Sequence, residues 1–268
     1  MKRILWLAFA CALIGAAAAA ADTIGAQLTL YPASQGQRTQ ASWTAQEGEP
    51  DRTGEANQAV LLERDTTETG TSAAAHIRGL EGVPVNFLVS LSFDYRVADG
   101  VCNVTDPRWA LFIQGKSGRH YLINLGCATM SPAAAQSPGW LRRRALQPFI
   151  RAAIMMQNRK FFTDIINGNL EGLSLVFDRS VGHVFVDDVI VRARGLPSGI
   201  WTYAGDNGNG VPAGPPPRFT DDQLALLAQP LVPEALLTED AVFASLTPDD
   251  WAAISADADP LPDDPLAT

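Results

Sequence analysis

The chain reads as an all-β protein: an antiparallel β-sandwich, followed by a Gly/Pro linker and an acidic, partly helical C-terminal tail. Three observations predict this. Short runs of β-branched and aromatic residues recur with turn signals between them up to about residue 194. Strands do not alternate with long amphipathic helices, so a parallel βαβ sheet is not expected. Past Arg194 the composition changes abruptly, first to GLPSGIWTYAGDNGNGVPAGPPPR and then to acid. The expected division is a leader over residues 1–21, a sandwich over 22–195, and linker plus tail over 196–268.

The first stretch, MKRILWLAFACALIGAAAAAADT, has a basic start, an apolar run and small residues suited to cleavage. It reads as a cleavable signal peptide, with Cys11 inside the apolar run, and places the protein in the periplasm or outside the cell. No later stretch reaches the roughly 18 apolar residues of a membrane-spanning helix. In an oxidising compartment the two remaining cysteines, Cys102 and Cys127, are expected to pair. Charge is unevenly placed. Asp22 to Arg218 holds 18 basic and 18 acidic residues, whereas Phe219 to Thr268 holds 11 acidic residues and no basic one. A neutral body with an acidic end argues against nucleic acid as a partner.

Leu28–Tyr31 reads as a first edge strand, with a long loop after it. Residues 57–64 and 71–79 flank the turn-rich DTTETG and read as a hairpin. Phe87 to Val97 is the cleanest alternation: Phe87, Val89, Leu91, Phe93, Tyr95 and Val97 form a core face, and Leu88, Ser90, Ser92, Asp94 and Arg96 a mostly wet one. WALFIQ and RHYLINLGC around GKSG read as a second hairpin with a cysteine beside each end. Residues 131–171 leave two readings open, a helix beginning at Pro148 and a strand with a bulge. LEGLSLVFD and GHVFVDDVIV read as a last hairpin. In the tail, Thr220 with Gln223, and Thr247 with Pro248 and Asp250, are helix N-caps.

GHVFVDDVIVRA, residues 182–193, carries two acids in an otherwise β-branched and aromatic run. Side chains alternate along a strand, so Asp187 and Asp188 are expected on opposite faces, one wet and one satisfied by backbone amides, a basic group or a hard cation.

The hairpin LEGLSLVFD with GHVFVDDVIV resembles the closing strands of galactose-binding-like jelly rolls, which include many carbohydrate-binding modules, and LSFDYRV is similar to an inner strand of those folds. The resemblance implies a non-catalytic carbohydrate-binding sandwich. It also places Asp187 on an aspartate that helps hold a structural calcium in several such modules, with Glu63 and Asp65 the nearest further candidates.

Aromatics that could stack on a sugar are Trp109, Tyr121, Trp140, Trp201 and Tyr203, against the alternative that they fill the core. Trp140 leads. It precedes Arg142, Arg143 and Arg144, and a ring beside Arg142 and Arg144 suits an acidic or hydroxyl-rich glycan, unless those arginines are a solvated strand face. His76, His120 and His183 are well separated and read as half-buried strand residues. GDNGNG at 205–210 lacks EF-hand spacing. No nucleophile elbow, P-loop, dinucleotide fingerprint or closely spaced carboxylate set appears. The expected function is binding of envelope or extracellular polysaccharide. A structural module that binds a protein partner, and a hydrolase whose residues meet only in space, are the alternatives.

Overall fold

The computed structural model describes residues 29–49, 58–135, 137–195, 199–201 and 218–256. The leader, most of the linker with GDNGNG and Tyr203, and the side chain of Trp201 lie outside the described residues.

Twelve strands follow in chain order: β1 (Thr29–Gln35), β2 (Thr39–Ala45), β3 (Gln58–Arg64), β4 (Ser72–Arg78), β5 (Leu88–Val97), β6 (Arg108–Gln114), β7 (His120–Gly126), β8 (Ser131–Ala133), β9 (Leu141–Leu146), β10 (Asn169–Phe177), β11 (Gly182–Ala193) and β12 (Gly199–Trp201). Every pairing between them is antiparallel. A five-stranded sheet runs β1-β4-β10-β6-β7, and a seven-stranded one runs β2-β3-β11-β5-β9-β8 with β12 beside β11. Alternate side chains of both sheets meet in one core, including Ala75, Ile77, Trp109, Leu111, Leu173 and Leu175 from the first and Val60, Leu62, Leu91, Phe93, Val186 and Val189 from the second. The expected antiparallel sandwich is what the chain builds.

The β6–β7 hairpin forms as expected, and the Cys102–Cys127 disulfide ties its ends with a Cα–Cα distance of 5.3 Å. Gly126 makes this possible, because a Cβ there would lie 2.0 Å from the Val104 carbonyl oxygen. The other two expected hairpins are not hairpins. β3 and β4 lie in different sheets, and so do β10 and β11. The turn residues were read correctly, but a strand with one apolar face satisfies the shared core from either sheet, so alternation does not say whether the chain returns or crosses.

The crossing from β10 to β11 is fixed by a buried network. Asp106 accepts backbone N–H groups from Asp178 (3.3 Å), Arg179 (2.8 Å) and Ser180. Arg108, fully buried, donates from Nη1 and Nη2 to the carboxylate of Asp178 and from Nε to Asn124 Oδ1 at 2.8 Å.

Residues 131–171 hold both a strand and a helix in succession, and the strand pairs regularly, without the bulge that one reading expects. β9 ends at Leu146, and α1 (Gln147–Asn158) begins at once with Pro148 in its first turn, where a missing N–H costs nothing. A short α2 (Phe162–Ile166) follows. In the tail, α3 (Asp221–Leu227) and α5 (Pro248–Ser255) start with the expected capping boxes, and α4 (Glu239–Ser245) starts at Thr238. Among the described residues no helix is long and apolar enough to cross a membrane.

The tail is not a detached arm. Val242 of α4 and Ile254 of α5 belong to the sandwich core, and Phe243 packs edge-on against Phe149 of α1. Arginines of the body hold its helix ends. Arg151 donates to the carbonyls of Ala253 and Ala256 at the end of α5, Arg179 to those of Leu227 and Gln229 at the end of α3, and Arg159 pairs with Asp250 at 2.9 Å. The expected boundary at residue 195 therefore separates segments of sequence but not units of packing.

Two outcomes test this account. Ending the chain after residue 229 strips Val242 and Ile254 from the core and is expected to cost more than about 4 kcal/mol, roughly 10 °C in Tm, or to yield aggregate; a truncated protein that melts like the full chain disproves the docking. Asp106→Ala leaves three amides and a buried guanidinium short of a partner and is expected to cost about 3–5 kcal/mol in denaturant unfolding.

Candidate functional site

Two regions of the outer surface carry chemistry. The first lies on the outer side of the seven-stranded sheet, where β11 is irregular. Val186 and Val189 both face the core, and the two residues between them form a bulge with Asp188 at φ +41°. The expected alternation therefore fails. Asp187 and Asp188 both turn away from the core, toward the segment at Glu49. Asp187 Oδ2 accepts the Glu49 N–H at 2.7 Å and Oδ1 the Asp188 N–H at 2.8 Å.

Asp188 joins Asp94 and Glu49 in a buried group whose carboxylate oxygens lie within 4.8 Å of one another. Arg142, from β9, donates to both oxygens of Asp94 and, at 3.0 Å, to Asp188. Burial pulls the Arg142 pKa down, and the bonds and charge of Asp94 with the charge of Asp188 outweigh it, so the guanidinium stays charged. Arg142 thus donates to two of the three acids, Asp94 and Asp188. Burial first, then Asp94 and Asp188, push Glu49 up to about 9. Its Oε1 accepts the Ser137 N–H at 2.8 Å, while Oε2 has no partner among the described residues. A proton on Glu49 resolves this, since two carboxylates can share a hydrogen bond only when one of them is a carboxylic acid.

The fit to calcium is poor. A hard cation takes six to eight oxygens, yet both oxygens of Asp187 and of Asp94 and one of Asp188 already accept N–H donors. Glu63 and Asp65 lie elsewhere, beside His183, whose Nε2 is 3.2 Å from Glu63 and whose Nδ1 bonds Asp99.

Most residues expected to bind ligand are committed inside the protein. Trp109 is fully buried between the sheets, with Phe93 edge-on to it, and offers no ring face to a sugar. Tyr121 is 8% exposed and donates its hydroxyl to Asp164 at 2.7 Å. Trp140, also 8% exposed, lies under the Arg96 guanidinium, 5.4 Å from the ring centroid; the same guanidinium sits 4.9 Å from the Phe185 ring and pairs with Glu47. Arg142 is the buried partner of Asp94 and Asp188. Arg144 is half-buried on the same outer face. The sequence expects the arginine run to be solvated or ligand-facing, and its first member, Arg142, is instead buried on Asp94 and Asp188.

The second region is the outer face of the five-stranded sheet. Tyr31, His76, Ser174, Ala110 and Asn124 share one rung across its five strands. Part of this face is covered by the tail: Phe219, Leu227, Leu224 and Leu226 pack on Ala74, Ala110, Phe112 and Val176. Two open clefts remain beside α3. A cleft of about 490 Å³ is lined by Thr67, Thr69, Thr71, Ser72 and Gln35 on one side and by Leu224, Leu227 and Ala228 on the other. A second, of about 440 Å³, shares Gln35 and Leu224 and reaches His76, Arg218, Phe219 and Asp221. Neither cleft is legible from the sequence, because part of each lining comes from the tail, and Leu224 lies 189 residues beyond Gln35, which it faces in both.

No family model matches the chain, and no curated protein matches it in sequence. Among solved structures it is similar in fold to carbohydrate-binding modules. One is the family 30 module of a Clostridium thermocellum cellulosomal cellulase, with 12% identity over 63% of this chain and 94% of that one, at a TM-score of 0.37. Others are a family 22 xylan-binding domain, with 12% identity over 65% of this chain and 92% of that one at 0.35, and the family 22 xylan-binding domain of Paenibacillus barcinonensis, with 10% identity over 63% and 96% at 0.31. These are likenesses of form, and none locates a ligand on this chain.

The proton on Glu49 has a measurable sign. A folded pKa of about 9 against an ordinary 4.5 means the fold is favoured by low pH, and this contribution is lost as pH rises from about 4.5 to about 9. Glu49→Gln, permanently neutral, is expected to flatten that slope and to melt at or above the native protein at pH 8. Added calcium raising the native Tm, and failing to do so in Glu49→Gln, shows instead that a cation balances the cluster.

Proposed function

We propose that this protein is an exported, non-catalytic β-sandwich that binds carbohydrate of the cell envelope or extracellular space, in the clefts between the five-stranded sheet and α3. The observation that carries this reading is the make-up of the larger cleft: the Thr67, Thr69 and Ser72 hydroxyls and the Gln35 amide on one wall, leucine and alanine side chains on the other. Sugars present hydroxyls around the ring edge and C–H groups on its faces, and such a two-sided lining pairs with both at once. The charges at its rim are spent. Arg64 donates to Thr71, Ser180 and Glu68, and Arg179 to the end of α3. Against hydrolysis, Glu49, Asp94 and Asp188 lie buried against Arg142 and not open to a glycosidic bond.

A glycan array read alongside calorimetry tests the reading. The native protein is expected to bind at least one polysaccharide class. Gln35→Ala, which touches both clefts, is expected to weaken binding roughly tenfold with little change in Tm. Trp140→Ala is expected to lower stability and leave affinity alone. Absence of binding across the array removes the carbohydrate reading in favour of a protein partner.

A further inference from the structure

The smaller cleft has a property that the larger one lacks. His76 lies in the middle of β4, 8% exposed, with Nδ1 2.8 Å from Ser174 Oγ. Its Nε2 is buried and has no hydrogen-bond partner among the described residues. A buried ring nitrogen left without a partner is costly, and folded proteins rarely retain one that nothing uses. Burial first, then the nearby Arg78 charge, bring the His76 pKa down to about 4, so the ring is neutral at ordinary pH.

Neutrality fixes what can meet that nitrogen. When Ser174 donates to Nδ1, Nε2 carries the hydrogen; when Nδ1 donates to Ser174, Nε2 carries the lone pair. A hydroxyl can accept from the first form and donate to the second. A carboxylate can only accept and an ammonium can only donate, and either brings a charge against a buried, neutral ring in a pocket whose lining holds one residue of each sign, Arg218 and Asp221. The tail supplies the other wall. The Phe219 ring lies edge-on to the imidazole at 4.3 Å between centroids, with Leu224 and Asp221 beyond it.

We propose that this pocket reads one ring of an uncharged, hydroxyl-bearing sugar, that a ring hydroxyl takes the open hydrogen bond of His76 Nε2, and that the tail segment from Phe219 to Leu224 completes the site. The inference rests on the carbohydrate reading and deepens it, selecting neutral glycans over uronic acids or free amino sugars. Because Phe219 packs on the imidazole, seating the hydroxyl turns the Phe219 ring aside, so binding and tail docking are linked.

The test titrates the full chain with linear hexaoses of glucose, xylose, mannose and galactose, and with hexaoses of galacturonate and mannuronate. Binding is followed by calorimetry and by the imidazole ¹⁵N and Phe219 ring resonances. A neutral hexaose is expected to bind, to shift His76 Nε2 and Phe219 together, and to lose roughly tenfold in affinity in His76→Phe, which keeps a ring against Phe219 but has no nitrogen. The resonances of the native protein report even where that variant folds poorly. A neutral glycan that binds with both resonances unmoved, or uronates that bind better than neutral hexaoses, overturns the His76 site and leaves the carbohydrate reading standing. Failure of every hexaose to bind overturns both.

Discussion

The bulge at Asp187 and Asp188 is the constraint on which the outer side of the seven-stranded sheet depends. A regular strand would send one of these carboxylates into the hydrocarbon core between Val186 and Val189, where an ionised oxygen has no water and no partner. Placing Asp188 in the left-handed region costs backbone strain but turns both acids outward. Once there, they organise what covers them. Asp187 seats the Glu49 amide, Asp188 and Asp94 hold Arg142, and Glu49 reaches across to the Ser137 amide. Segments distant in sequence are thus fastened to one strand by charge-assisted bonds.

The other side of the sandwich is governed by packing. Small side chains at Ala74 and Ala110 leave the outer face of the five-stranded sheet low enough for Phe219 and Leu227 to settle on it, and Arg179 holds the end of α3 in place. Among the described residues, Arg151 and Arg179 meet the acidic tail at the carbonyls of helix ends and Arg159 meets it at the carboxylate of Asp250. What charge composition suggests is a repelled, solvated appendage, yet the tail adds two side chains to the core.

Local patterns were legible and long-range ones were not. Alternation found β5 and the β6–β7 pair, cysteine count found the disulfide, and the N-caps at Thr220 and Thr247 were plain in the sequence. Each of these depends on neighbours a few residues away or on a unique partner. The crossings after β3 and β10 depend on which sheet has room, and the bulge depends on what the far ends of Glu49 and Arg142 can reach. Asp94 looked like a wet residue on an alternating strand, and its neighbours Ser90 and Ser92 offered no contrary sign; its burial is set by residues about 45 positions to either side. Trp140, which stands out in the sequence beside three arginines, lies under the guanidinium of Arg96, a residue 44 positions earlier.

Because Val242 and Ile254 join the core cluster beside α1, that end of the hydrophobic interior is filled only when nearly the last described residue has left the ribosome. A chain that emerges N-terminus first can pair its strands early and covers α1 last. That order makes docking of the C-terminal helices the final step of folding rather than an accessory to it.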